Sequence, residues 1–246
     1  MNVISDLISS FDPDKPHFRP TEIYNESWLI KLVLHHASTI RDADHFLGFL
    51  PGSTWYSEGI LPTAFKARFQ GDPLSEARTN ADGIIGHFRI GNKAKADLEL
   101  IEDAKQFTVL EAKIDSPLAA GVTHANYFDQ AARTVACMAE AIKSAGREPS
   151  KLDCLDFIVL APQASIEKGI FSEEMDPNSI RSKVQKRTLA YDGQLEDWYR
   201  KHFEPTLERI RLHSLSWESA LEWVSDKKPE IANDLSQYYQ RCLQYK

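Results

Sequence analysis

Apolar residues recur at helical spacing at two places in the first 150 positions, and between them they shorten into strand-like runs. The first helical stretch begins at Thr21, with Ile23, Trp28, Leu29, Leu32, Val33 and His36 near a period of 3.6. Thr21 and Asn25 are both candidate caps for it, and Glu22 and Glu26 suit the positive end of its dipole. Residues 41–80 lose that period; rich in Gly, Pro and aromatics, they predict loops with a short helix around 62–69. Strand signals follow at 84–90, 96–102 and 107–114, the first two joined by a Gly91-Asn92 turn, which predicts an antiparallel meander.

Helical spacing returns over 126–145 through Phe128, Ala131, Ala132, Val135, Met138, Ala139 and Ile142, with Gly146 as a natural stop. Residues 156–162 are a continuous apolar run ended by proline, the pattern of a buried strand. Beyond 163 the chain is mainly helical. Its longest helix is expected over 189–211, with a strand candidate at 210–215 and a helix over 217–224 capped by Ser216. The order helix, three strands, helix, strand predicts an α/β sandwich around a mixed sheet.

No repeat, low-complexity tract or Gly/Ser linker divides the 246 residues. Pro13, Pro16 and Pro20 make 1–20 an irregular arm, 21–162 forms the core with 41–80 as its loop-rich insertion, and 163–246 is a helical extension packed on it. Lys and Arg total 29 against 36 Asp and Glu, so the net charge of −7 excludes a uniformly basic coat but not a local basic surface. The amino-terminal residues have no basic start, sustained apolar stretch or small-residue cleavage site, so no signal peptide is expected. No apolar run approaches the roughly 20 residues of a bilayer span, so no membrane partner is expected. Cys137, Cys154 and Cys242 are odd in number and without a CxxC pair, which reads as buried thiols in a cytoplasmic protein.

Common catalytic signatures are absent: there is no GxxxxGK, GxGxxG, GxSxG or HExxH. His35-His36 reads as ordinary helix packing or surface. The informative segment is 95–114. Strand alternation puts Glu111 and Lys113 on one face, with Leu110, Ala112 and Ile114 on the other. A three-residue hairpin loop at Asp103-Ala104-Lys105 would pair Glu102 with Gln106 and set Asp97 opposite Glu111, about 5 Å apart at Cβ. Two carboxylates beside an ammonium suit hard, oxygen-seeking Mg²⁺ or Mn²⁺, which stabilises charge on a phosphodiester and acidifies water. The plain alternative is a solvent-facing Glu111–Lys113 ion pair worth about 0–1 kcal/mol. Asp103–Lys105 and Asp226–Lys228 are DxK triplets without a strand or a preceding acid.

Ala96-Asp97, thirteen intervening residues and Glu111-Ala112-Lys113 resemble the PD-(D/E)xK nuclease superfamily, and so does the element order over residues 21–162. The resemblance implies a restriction-endonuclease-like αβββαβ core and Mg²⁺- or Mn²⁺-dependent cleavage of nucleic acid, usually DNA. It implies Asp97 and Glu111 as metal ligands and Lys113 as the ammonium that assists the nucleophile. A further acid on the first helix maps to Glu26, ahead of Glu22, with a helix-dipole role as its alternative. Gln130 matches a glutamine on the helix after the third strand, although Thr134 stands where several subgroups carry tyrosine and Tyr127 precedes it instead. Arg133 is a candidate phosphate contact or a helix-surface ion pair. Ala96 replaces the proline of the family name, and Asp82 is the rival metal acid, with a turn or cap in Thr79–Gly83 as its other reading.

Arg181-Ser-Lys-Val-Gln-Lys-Arg187 is the densest basic cluster, either a phosphate contact or a solvated helix face. Tyr56, Phe65, Arg68 and Phe69 form either a substrate lip or cover for a second core. A homodimer would help cut both strands of a duplex, and the helices past 163 would offer the interface. Three functional readings stand: a metal-dependent nuclease, a catalytically silent domain of that fold binding nucleic acid or protein, and an unrelated α/β domain with a surface ion pair.

Overall fold

The computed structural model describes residues 19–76, 78–91, 96–121 and 124–246; the amino-terminal arm, apart from Arg19 and Pro20, lies outside them. After a 3₁₀ turn at Pro20–Glu22, helix α1 spans Glu26–Ala37. Of the two candidate caps Asn25 is the one used: its side chain accepts the Trp28 N–H at 3.0 Å. Strands β1 (Thr54–Tyr56), β2 (Gly59–Leu61), β3 (Thr79–Ala81), β4 (Gly83–Gly86), β5 (Phe88–Ile90), β6 (Leu98–Leu100) and β7 (Gln106–Ala112) lead to helix α2 (Gln130–Ser144). Strand β8 (Cys154–Ala161), helices α3 (Gln163–Glu167) and α4 (Pro177–Leu189), and α5 (Glu196–Trp198) and α6 (Glu204–Arg209), joined by a π-helical turn, follow. Strand β9 (Arg211–Ser216), helix α7 (Trp217–Lys227) and helix α8 (Ala232–Gln244) complete the chain.

Five strands form one mixed sheet in the order β1-β4-β7-β8-β9, with β1, β4 and β7 antiparallel neighbours and β7, β8 and β9 parallel. Every residue of β7 is buried, as a central strand covered on both faces requires. Val109 and Phe107 look toward α2, together with Phe157 and Val159, while Leu110 and Ala112 look toward α1, α7 and α8. The chain is thus an α/β sandwich whose carboxy-terminal portion adds the fifth strand as well as helices. Among the described residues no helix is long and apolar enough to cross a membrane.

Three sequence expectations are corrected. The segment 62–69 is not helical, and strands occupy parts of 41–80. Side chains there capture the backbone: Thr63 accepts the Phe65 N–H, and Asp72 accepts those of Arg68 and Leu74, bonds that compete with a helix. Phe65 is fully buried against Phe128 and Tyr191, so it is core and not a substrate lip. Helix 189–211 is split: α4 ends at Leu189, and Asp192 and Gly193 take φ of 52° and 80° before α5 begins.

The third correction bears on the site. Strand β6 pairs with β5, not with β7. In the turn before β7 the Ala104 N–H donates to the Ile101 carbonyl at 3.1 Å, and the carbonyl of the buried Ala104 accepts the Arg147 Nε–H at 3.0 Å. The partner of β7 is β4, which Gly86 allows to approach closely: a Cβ there would meet the Gln106 carbonyl oxygen at 2.3 Å. The ladder then ends where the His87 ring accepts the Gln106 N–H at 3.2 Å, and β5 departs to form its own ribbon with β6.

Candidate active site

Glu111 lies near the carboxy-terminal end of β7 with its carboxylate on the α2 side of the sheet, 2% exposed. Lys113 is on the same face, as alternation predicts, and its Nζ donates to Glu111 Oε1 at 2.7 Å. The Lys113 backbone continues the parallel ladder, its N–H donating to the Leu160 carbonyl at 2.8 Å. Its own carbonyl accepts the indole N–H of the fully buried Trp217 at 2.8 Å. This ion pair is therefore built into a central strand rather than lying on an exposed edge.

Gln130 closes the other side. It opens α2 immediately after its cap Asp129, whose side chain accepts the Ala132 N–H at 3.0 Å. The Gln130 amide nitrogen donates to Glu111 Oε1, and its amide oxygen accepts the Ala119 N–H at 3.0 Å. A backbone bond from Gln130 to the Ala119 carbonyl at 2.9 Å locks the same corner. The side chain is thus fixed at both ends.

The second carboxylate is Asp82. Extending the β4–β7 register one residue past Gly83↔Leu110 puts Asp82 beside Glu111. Asp82 Oδ2 accepts the Ala112 N–H at 2.8 Å, and the two carboxyl groups are within hydrogen-bonding reach. Gly83 lets α1 seat directly below, since a Cβ there would meet Ile30 Cδ1 at 2.7 Å and Leu34 Cδ1 at 2.9 Å. Burial first, then the Asp82 charge, raises the Glu111 pKa to about 8 against the opposing pull of Lys113.

Asp97 is elsewhere, a correction that follows from the register. Its backbone bridges Ile60, and β2 stands between it and β3, the strand that leads into Asp82. Glu26 is also elsewhere: it sits in the first turn of α1, a helix that packs on the opposite face of the sheet, and its charge helps raise the Cys242 thiol. Arg133 lies one turn beyond Gln130, with its Nε buried and without a partner, and its charge acts on Glu76 and Cys137. Of the sequence-predicted residues, the structure brings together Glu111, Lys113 and Gln130, with Asp82 in place of Asp97. Cys137 and Cys242 are buried and Cys154 half-buried, all three free.

Among the described residues no group of three or more His, Cys, Asp or Glu side chains is placed to hold a metal ion. A cation at this place would be held by the Asp82–Glu111 pair and completed by water or backbone oxygen, an oxygen-only donor set that fits Mg²⁺ or Mn²⁺. Comparison of the chain with protein-family models, with curated proteins and with solved structures gives no match.

Proposed function

We propose that this chain is a divalent-cation-dependent nuclease of restriction-endonuclease-like fold, hydrolysing phosphodiester bonds in nucleic acid, with DNA the expected substrate. One observation carries the reading: two carboxylates, Asp82 and Glu111, adjoin at the end of a central strand with the Lys113 ammonium 2.7 Å from one of them. Burying like charges together is costly, and a divalent cation would relieve that cost. When bound, the cation supplies Lewis acidity toward a phosphoryl oxygen and toward water. Lys113 spends one N–H on Glu111, which leaves others for a non-bridging phosphoryl oxygen or the attacking water. Gln130 fixes the Glu111 rotamer, so the ligand is aimed before substrate arrives.

A second reading, a silent domain that binds without cutting, draws on the fact that Glu111 Oε1 already accepts bonds from both Lys113 and Gln130. Calorimetric titration with Mg²⁺ and Mn²⁺, paired with cleavage assays on single- and double-stranded DNA, tests both. Cation binding that vanishes in Glu111→Gln, with cleavage that requires the cation, supports the nuclease. Binding of DNA without cleavage under any cation would replace it with the silent domain.

A further inference from the structure

The basic run 181–187 is neither loose nor uniformly solvated. Arg187 is fully buried, its guanidinium 5.3 Å from the Phe65 ring centroid and 5.7 Å from those of Phe128 and Tyr191, and it donates to the Leu74 carbonyl. Arg181 is paired with Glu204 at 3.1 Å. These anchors fix the rotation of α4, and Lys183 and Lys186, one turn apart, meet the residues that lead into α2. Lys183 Nζ lies 2.6 Å from Asp129 Oδ2, the cap of α2. Lys186 Nζ stands 4.0 Å from the Tyr127 ring centroid. Direct contacts and chain neighbours therefore link this helix to the candidate site through Asp129, Gln130 and Glu111.

The two lysines differ in what their charge can do. Lys183 is largely sequestered and neutralised by Asp129. Lys186 is exposed, rests on a neutral ring and pairs with no carboxylate among the described residues. An ammonium over a phenol face is held in position without being neutralised, so its charge remains available to an anion. The half-buried Tyr127 ring below it is flat and anchored beside the fully packed Phe128.

We infer that Lys186, seated on Tyr127, takes a backbone phosphate of the nucleic-acid strand whose reacting phosphate lies at Lys113, so that the strand crosses the amino-terminal end of α2. The inference rests on the nuclease reading for the direction of the strand but is measured without cleavage. Anisotropy of a labelled oligonucleotide, single-stranded and duplex, is followed at fixed Mg²⁺ across a monovalent-salt series, with Glu111→Gln as the non-cutting background. Adding Lys186→Ala should reduce the magnitude of the slope of log affinity against log salt by about 0.7 for single strands or about 0.9 for duplex, the value of one phosphate contact. Lys186→Arg should restore it. Lys151→Ala removes the same charge beyond the far end of β8 and should leave the slope unchanged. An unaltered slope in Lys186→Ala, an equal change in Lys151→Ala, or no binding by the background protein overturns the inference. Cleavage by the parent with an unaltered slope would sink this inference alone, whereas the slope change without cleavage would sink only the nuclease reading.

Discussion

Asp82 stands beside Glu111 although 28 residues separate them, and it accepts the N–H of Ala112, the residue between Glu111 and Lys113, at 2.8 Å. That bond ties the second carboxylate to the strand that carries the first. Removing the charge while keeping the shape should therefore separate chemistry from fold. On the nuclease proposal, Asp82→Asn and Glu111→Gln are expected to lower cation-dependent cleavage by about 100-fold or more, as loss of a charged group at a reacting centre does. Asp97→Asn should stay within about twofold of the parent, since it lies beyond β2. Turnover measured for the three variants at saturating Mg²⁺ decides this; loss of activity in Asp97→Asn with retention in Asp82→Asn would return the metal to the other acid.

Why the sequence pointed to Asp97 is instructive. Alternation correctly paired Glu111 with Lys113 because it is a property of one strand. The helices at Glu26–Ala37 and Trp217–Lys227 and the strands at Cys154–Ala161 and Arg211–Ser216 were legible for the same local reason: caps, apolar period and a terminating proline. The register between strands was not local. It involves the close approach of Gly86 to the Gln106 backbone, a contact that spans 20 positions. The sequence signal for Asp82 was present in Ala81-Asp82-Gly83, an acid at the start of a strand followed by a residue with no Cβ, but it looked like a turn.

The Glu111 carboxyl predicts a pH dependence of stability. Its pKa rises from 4.5 to about 8 on folding, with burial the main cause. Across that interval the native state holds a proton that the unfolded chain has released, so stability falls as pH rises from about 4.5 through about 8 and levels above it. The limiting slope is about 1.4 kcal/mol per pH unit. Glu111→Gln cannot release the proton and should flatten the profile, being more stable than the parent near the alkaline end and similar to it near the acidic end. Urea unfolding of both proteins at several pH values reads this out, and parallel profiles would contradict it. With Glu111 as the proposed cation ligand, Mg²⁺ should raise the parent midpoint more at alkaline pH, because proton and cation would compete for one carboxylate.

Gln130 holds Glu111 through one amide hydrogen and Ala119 through its oxygen. Gln130→Ala removes a donor that favours the ionised carboxylate, so the Glu111 pKa should rise further. The expected signature is a displacement of the acid limb of the pH–rate profile to higher pH, together with a loss in turnover of about 10–100-fold, typical for a residue that orients a ligand. Gln130→Glu keeps the acceptor for Ala119 but adds a third carboxyl group to the cluster, and should displace the limb in the same direction. A fall in rate with no displacement would make Gln130 a structural residue of the α2 corner only.

Trp217 couples the carboxy-terminal helices to the same strand. Its ring is fully buried, and its indole N–H donates at 2.8 Å to the carbonyl of Lys113, the residue whose ammonium meets Glu111. Trp217→Phe retains an aromatic body but strands a buried acceptor, a loss of about 1–3 kcal/mol before any cavity is counted. For a chain of this size that lowers Tm by roughly 2–12 °C. Trp223 supplies the comparison: it lies on the same helix, is half-buried and donates its indole N–H to Asp42 at 3.1 Å, away from Lys113. Trp223→Phe should cost less stability and leave the cleavage rate unchanged well below Tm. Trp217→Phe should slow cleavage at that same temperature, because the Lys113 backbone loses the bond that fixes where its side chain starts. If both variants cut at the parent rate while both remain folded by circular dichroism, the parallel ladder alone sets the position of Lys113.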